Sequence, residues 1–227
     1  MADRDFRSLS MRWLEASLPA RYSYNFTWMG RPIIQYPQDI VALQELIWRI
    51  KPDVIVETGI AHGGSLVFSA SMLELLGGEG QVIGVDIDIR AHNRAALDEH
   101  PMRKRIELIE GSAVAPEIVR EVHDRVGGRS PVLVILDSNH THDHVLAELT
   151  AYSDLVRKGS YLVVLDTVVE YLPEDAFPDR PWGPGNSPGS AVSAFLATNR
   201  RFEVDAELED RVAITTAPGG YLRCIRD

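Results

Sequence analysis

The sequence predicts an α/β fold: a Rossmann-like, doubly wound and mostly parallel sheet that ends in an antiparallel strand pair near the C-terminus. Three observations lead there. Between residues 50 and 166, five short runs rich in Val, Ile and Leu alternate with helical patterns, as in βαβ units whose sheet is covered on both faces. Four of those runs finish on an acid, at Glu57, Asp86, Asp137 and Asp166. Beyond Asp166 the alternation stops, and short apolar segments are spaced by Pro and Gly.

Each element follows from local signals. Residues 6–17 and 39–50 read as helices, separated by the aromatic stretch YSYNFTW at 22–28. Parallel strands are expected at 53–57, 81–86, 106–109, 132–137 and 161–166. A helix over 65–76 stops at Gly77-Gly78, and one over 116–126 opens on Pro116 and stops at Gly127-Gly128. Thr141 is placed to cap the next helix, which ends before Gly159 with Arg157 and Lys158 at the negative end of its dipole. Residues 171–189, rich in Pro and Gly, read as a long loop, and a lid over 168–189 is expected because such loops beside an active edge carry function. Ser187-Pro188 then caps a helix running through Asn199. Strands are expected around 202–204, 212–216 and 221–225, the last two joined at Pro218-Gly219-Gly220.

Composition narrows the function. A chain of 227 residues with 45% hydrophobic content can bury one core, so residues 1–227 are expected to form a single domain with 1–50 as a helical, substrate-facing segment. A formal charge of -10 with scattered Lys and Arg argues against nucleic acid as partner. The single cysteine, Cys224, rules out an internal disulfide framework and a Cys-rich zinc site, which suits the cytoplasm. No stretch approaches eighteen apolar residues, so no membrane partner is expected. A homo-oligomer acting on a hydroxylated small molecule is the expected assembly.

In open α/β sheets ligands bind outside the carboxyl ends of the strands, where the four acids collect. The first turn, Glu57-Thr58-Gly59-Ile60-Ala61-His62-Gly63-Gly64-Ser65, has the pattern E-x-G-x-x-x-G-G. It is neither a G-x-G-x-x-G nor a P-loop. An acid beside a pyrophosphate is badly placed, whereas beside the ammonium of a methionine moiety it is well placed, which points to S-adenosylmethionine. Glu57, Gly59, His62, Gly63 and Ser65 would hold that end of the cofactor. Asp86 would take the ribose hydroxyls, and Gly111 and Ser112 would lie near the adenine. The bland alternatives are that the glycines serve the turn sterically and that Ser112 is a cap.

Residues 137–145, DSNHTHDHV, nearly spell the H-x-H-x-D-H motif of metal-dependent hydrolases, but His142 and Asp143 are adjacent where one residue must intervene. On the scaffold, Asp137 ends a strand and His140 precedes the helix, so both reach the active edge. Val145, Leu149, Tyr152 and Val156 form a buried stripe that His142 extends, while Asp143 and His144 share the solvated side with Glu148 or Asp154. Asp166 ends the neighbouring strand and can face Asp137. Two carboxylates that close need a shared proton or a cation, and oxygen ligands favour Mg²⁺, with Thr167 adding a hydroxyl. A divalent ion on Asp137 and Asp166 would acidify a substrate hydroxyl, and His140 would accept its proton.

VETGIAHGGS, GVDID, LDSNH and PWGPGNSP together resemble the cephalosporin hydroxylase and rhamnosyl O-methyltransferase family over about residues 25–225. The resemblance implies the class I methyltransferase form of the Rossmann-like fold and a Mg²⁺-assisted, S-adenosylmethionine-dependent O-methyltransferase. It further implies Asp137 and Asp166 as metal ligands and His140 as general base, for a sugar or secondary-metabolite acceptor. Leu165-Asp166 stands where relatives tend to carry an acidic pair, leaving one position to Thr167 or water. Tyr24, Phe26 and Trp28, with Tyr171, Phe177 and Trp182 from the loop, would close over the acceptor. The competing readings are a metal-dependent hydrolase using the cluster from His140 to His144 and a non-catalytic nucleotide-binding Rossmann domain.

Overall fold

The computed structural model describes residues 4–227. The chain opens with helix α1 (Arg4–Ser17), a 3-10 turn at Tyr22–Asn25, and a small hairpin of β1 (Phe26–Trp28) and β2 (Arg31–Ile33). Helix α2 (Pro37–Ile50) leads into β3 (Val54–Thr58), α3 (Gly64–Leu76), β4 (Gln81–Asp86), α4 (Ala91–Asp98), β5 (Ile106–Glu110), α5 (Pro116–Val126), β6 (Val132–Leu136) and α6 (His142–Tyr152). Then come β7 (Tyr161–Val164), a 3-10 turn at Thr167–Tyr171, α7 (Pro188–Thr198), β8 (Phe202–Val204), α8 (Ala206–Val212) and β9 (Tyr221–Cys224).

Seven strands form one sheet in the order β5-β4-β3-β6-β7-β9-β8. The first five are parallel, β9 runs antiparallel to β7, and β8 pairs antiparallel with β9. Side chains alternate across it as the strand period requires. Ile55, Val82, Leu133 and Val163 pack under α2 and α3, whereas Val54, Val56, Ile83 and Val134 pack under α5, α6 and α7. Both layers are dry, which explains the continuous apolar runs. The topology reverses between β3 and β6, whose neighbours lie on opposite sides, and the site forms at that crevice.

The expected sheet and its C-terminal antiparallel pair are present, but the expected strand at 212–216 is not. Asp205 accepts the Leu208 N–H at 3.1 Å and so caps α8, while Thr215 and Thr216 hydrogen-bond to the buried Asp39 rather than to a strand. The antiparallel partner of β9 is therefore β8. Helix α4 carries too few apolar residues, with Asn93 and Leu97 buried, to show a stripe in sequence. The β1–β2 hairpin turns on Met29 and Gly30, both in the left-handed region at φ 45 and 84. That is the backbone a two-residue hairpin favours, in a stretch whose sequence shows mainly aromatics.

Candidate active site

Register brings the acids together. Glu57 lies opposite Gly84 on β4 and Ile135 on β6, so the ends of the three strands align. Asp137 is the first residue past β6, its N–H tied to the Thr58 carbonyl at 3.0 Å. Asp166 stands just beyond β7 in the left-handed region, φ 54, where the chain turns into the 3-10 segment. His140 lies on the loop before α6. One ligand atom from each of Asp137, His140 and Asp166 falls within 4.8 Å of the others, and His140 Nε2 is 3.4 Å from Asp166 Oδ2. No lysine or arginine among the described residues pairs with either aspartate.

Electrostatics match that crowding. Burial of its carboxyl raises Asp137 well above the usual carboxylate range, and the charges of Asp166, Glu57, Glu148 and Asp39 push the same way. Two carboxylates and an imidazole, lacking a basic side chain, make a donor set that suits a hard divalent cation. Thr167, expected as a further ligand, is fully buried and donates its hydroxyl to the Pro218 carbonyl at 2.7 Å. The third group facing the two aspartates is His140.

The glycine turn builds the adjoining hollow. Glu57 is buried; Ser65 donates to one of its carboxylate oxygens, and the other, Oε2, has no partner. Burial lifts its carboxyl to about 7 against the pull of the Ser65 hydroxyl. Gly59, at φ 87, lies so close to the Asp137 carbonyl that a Cβ would overlap it, which locks the glycine turn onto the β6 turn. A Cβ on Gly63 would meet Leu97 at 2.7 Å and one on Gly111 would overlap Ile118, so those two positions answer to packing. Asp86 accepts the Ile60 N–H at 2.7 Å and the Asp88 N–H at 3.1 Å, shaping the turn from below.

Two connected hollows result. One of about 150 Å³ is bordered by Gly59, His62, Ser65, Asp86, Asp137 and Ser138. The other, of about 210 Å³, is bordered by Asp86, Ile87, Ser112, Ser138, His144 and Trp182. Ile87 was not singled out from sequence. It is 74% exposed, an apolar side chain at the rim of the second hollow. The signal was present, since an isoleucine between two aspartates at a strand end has no packing role to fill.

The histidines divide as their positions dictate, with one correction. His142 Nδ1 bonds the Ser190 hydroxyl at 2.8 Å, and His144 Nε2 sits 3.1 Å from the Ser138 hydroxyl. Glu148, expected on the solvated side of α6, is fully buried and accepts from Ser138 at 2.7 Å. No three of the histidines converge, so the hydrolase cluster does not assemble among the described residues. Nor does Thr141 cap with its side chain: Asn139 Oδ1 takes the Thr141 N–H and Asn186 Oδ1 takes the His142 N–H, both at 2.9 Å.

Of the aromatics expected around an acceptor, Trp182 reaches the trio, its ring edge-on to His140 at 4.8 Å between centroids. Trp28 turns away, donating to Ser71 at 3.0 Å and packing against Phe68. Phe26 packs on Tyr22, Tyr24 lines a larger cavity, and Tyr171 borders a hollow beside Glu209 and Pro218. The loop carrying Trp182 is pinned: Glu170 accepts the Gly185 N–H at 3.0 Å and the Ser187 hydroxyl at 2.5 Å, and Asn186 ties it to α6.

Comparison with known proteins was made against this geometry. The model of the family described as rhamnosyl O-methyltransferase/CmcI matches residues 20–225. A rhamnosyl O-methyltransferase of Mycobacterium bovis (strain BCG / Pasteur 1173P2) is 31% identical over 200 residues, covering 86% of this chain and 77% of that protein. The Mycobacterium leprae (strain TN) rhamnosyl O-methyltransferase is 30% identical over 202 residues, covering 86% and 82%. Among solved structures, CmcI with Mg and SAM superposes with a TM-score of 0.61 at 20% identity, covering 89% of this chain and 77% of the other. The Bacillus cereus O-methyltransferase in complex with SAH gives 0.53 at 14% identity, covering 100% and 93%. These likenesses in structure establish the fold.

Proposed function

Because the chain belongs to the rhamnosyl O-methyltransferase/CmcI family, we propose that it transfers a methyl group from S-adenosylmethionine to a hydroxyl of a sugar or secondary metabolite, assisted by a divalent cation. The observation that carries the proposal is the convergence of Asp137, His140 and Asp166 beside the hollow that Asp137 borders, with the buried, unpartnered Glu57 oxygen at the end of the neighbouring strand. A buried acceptor atom without a donor costs free energy, and the ammonium of a methionine moiety supplies one. Asp86 and Ser112 border the second hollow, where the ribose and adenine fit against the exposed Ile87.

The residues then have distinct tasks. Asp137 and Asp166 would hold the cation, which would offset their repulsion and acidify an acceptor hydroxyl brought to it. His140, held edge-on by the Trp182 ring, accepts the hydroxyl proton, and the imidazolium so formed is stabilised by the Asp166 carboxylate 3.4 Å from its Nε2. The deprotonated oxygen forms its bond to the methyl carbon as the sulfur–carbon bond breaks, releasing S-adenosylhomocysteine. The protein contributes position and a field matched to the charge that moves. The loop bearing Trp182, part of the 168–189 segment expected as a lid, would cover this step. A second reading has a specific observation behind it: His140 lies within ligand distance of both carboxylates and would act as a third ligand.

Calorimetry with S-adenosylhomocysteine tests the cofactor assignment. Binding by the intact protein that weakens at least tenfold in Glu57→Ala supports it, and absence of binding sinks it. His140→Ala separates the two roles: loss of turnover with cation affinity intact makes it the base, and loss of cation affinity makes it a ligand.

A further inference from the structure

Beyond the two hollows lies a larger cavity. It encloses about 700 Å³ between the end of α1, the Tyr22–Asn25 turn and the segment around Phe177, a volume typical of small-molecule pockets. Its walls carry Tyr22, Tyr24, Tyr36 and Phe177, flat rings suited to stacking on another ring. Two arginines, Arg21 and Arg180, and one acid, Glu15, supply its charge. Neither guanidinium has a carboxylate or hydrogen-bonding partner among the described residues, although Arg180 lies over the Trp182 ring at 5.1 Å. In a chain of net charge -10, a rim with two free guanidiniums and one carboxylate is a local reversal of sign.

Two links join this cavity to the trio. Tyr36 forms its inner wall, hydrogen-bonded to Ser17 at 2.6 Å, and its hydroxyl feels the charge of Asp166. On the rim, Arg180 stacks on Trp182, which meets His140 edge-on. A ring held against Tyr22 and Phe177 would therefore lie between the Tyr36 wall and the rim that carries the guanidiniums.

Resting on the methyltransferase reading above, we propose that the acceptor is a hydroxylated ring bearing a carboxylate or comparable anionic group, its anion held by Arg21 and Arg180 and its hydroxyl directed to Asp137, His140 and Asp166. Guanidinium suits this task because its planar fork matches a carboxylate with two parallel hydrogen bonds. The anion also orients the acceptor.

Matched probes test it: glucuronic acid against glucose, and 3,4-dihydroxybenzoate against its methyl ester. Binding is read by ligand-observed NMR without cofactor, and turnover by release of S-adenosylhomocysteine with Mg²⁺. At least one acid should bind tenfold or more tightly than its neutral partner, and Arg180→Ala and Arg21→Ala should each erase that preference while leaving the neutral probe's affinity unchanged. Equal binding of acid and neutral partner, no binding by either acid, or a preference that survives both substitutions overturns the assignment. Both arginines are exposed, so the variants keep the fold. S-adenosylhomocysteine binding is measured on the same samples: if it is retained while the acid preference is missing, the pocket assignment falls alone, and if it is absent the cofactor reading falls.

Discussion

Glu57 shows how a single side chain can report on a ligand. Its carboxyl is raised to about 7 by burial, so the folded state binds a proton that the unfolded chain releases near its ordinary value of 4.5. The sign follows: this group's contribution to stability is fully present below about pH 4.5 and is lost as pH rises toward 7. Cofactor binding should run the other way, because an ammonium prefers the ionised carboxylate. S-adenosylhomocysteine affinity is thus expected to rise with pH up to about 7 and then level off, and calorimetry on Glu57→Gln should show a weaker affinity with a flatter profile. An identical profile in both proteins would remove Glu57 from contact with the ligand. Asp166 offers a second case. Its charge opposes ionisation of Asp137, so Asp166→Asn should melt higher than the natural protein in EDTA, yet gain nothing from added Mg²⁺. Scanning calorimetry in the two buffers checks both halves.

At the scale of the element, the turns rather than the strands determine the site. Gly59 is where the β3 and β6 turns touch, and Gly59→Ala should cost about 2 kcal/mol or more, since both its φ of 87 and its contact with the Asp137 carbonyl oppose a side chain. A urea melt gives the loss, and S-adenosylhomocysteine affinity should fall with it because Asp137 moves. Parallel strands were legible in sequence because buried strands are continuous apolar runs, and the acids that end them pointed directly at the active edge. Less legible was anything set by long-range contact. The 212–216 segment looks like a strand alone, but the Asp39 carboxylate on α2 claims Thr215 and Thr216. Glu148 looks like a surface acid until Ser138 is placed above it. The cap of α6 comes from Asn186, forty-four positions away, which no local cap rule can find. Trp182 meets His140 whereas Trp28 packs on Phe68, a difference the sequence does not carry because an aromatic in sequence shows its size but not the direction it faces.

For the molecule as a whole, the site lies at the point of topological reversal, where β3 and β6 diverge and the covering loop is tied to α6. The end of α1 and the Tyr22–Asn25 turn form one wall of the larger cavity and the segment around Phe177 forms the other, so on the proposed reading the sheet would supply the chemistry and these two segments the acceptor's surroundings. No helix among the described residues is long and apolar enough to cross a membrane. Ligand linkage should be visible globally. S-adenosylhomocysteine at one hundred times its Kd should stabilise the folded state by about 2.7 kcal/mol, raising Tm by roughly 5–10 °C for a chain of this size. An unmoved Tm at saturating ligand would contradict that coupling. The central claim is that Asp137 and Asp166 hold a divalent cation beside His140 at the methyl-transfer site, and the most direct measurement needs no acceptor. Titration of Mn²⁺, followed by electron paramagnetic resonance in the presence of S-adenosylhomocysteine, should reveal one site per chain that Mg²⁺ displaces and that Asp137→Asn and Asp166→Asn each abolish. Absence of that site in the natural protein, or its survival in both variants, would contradict the account.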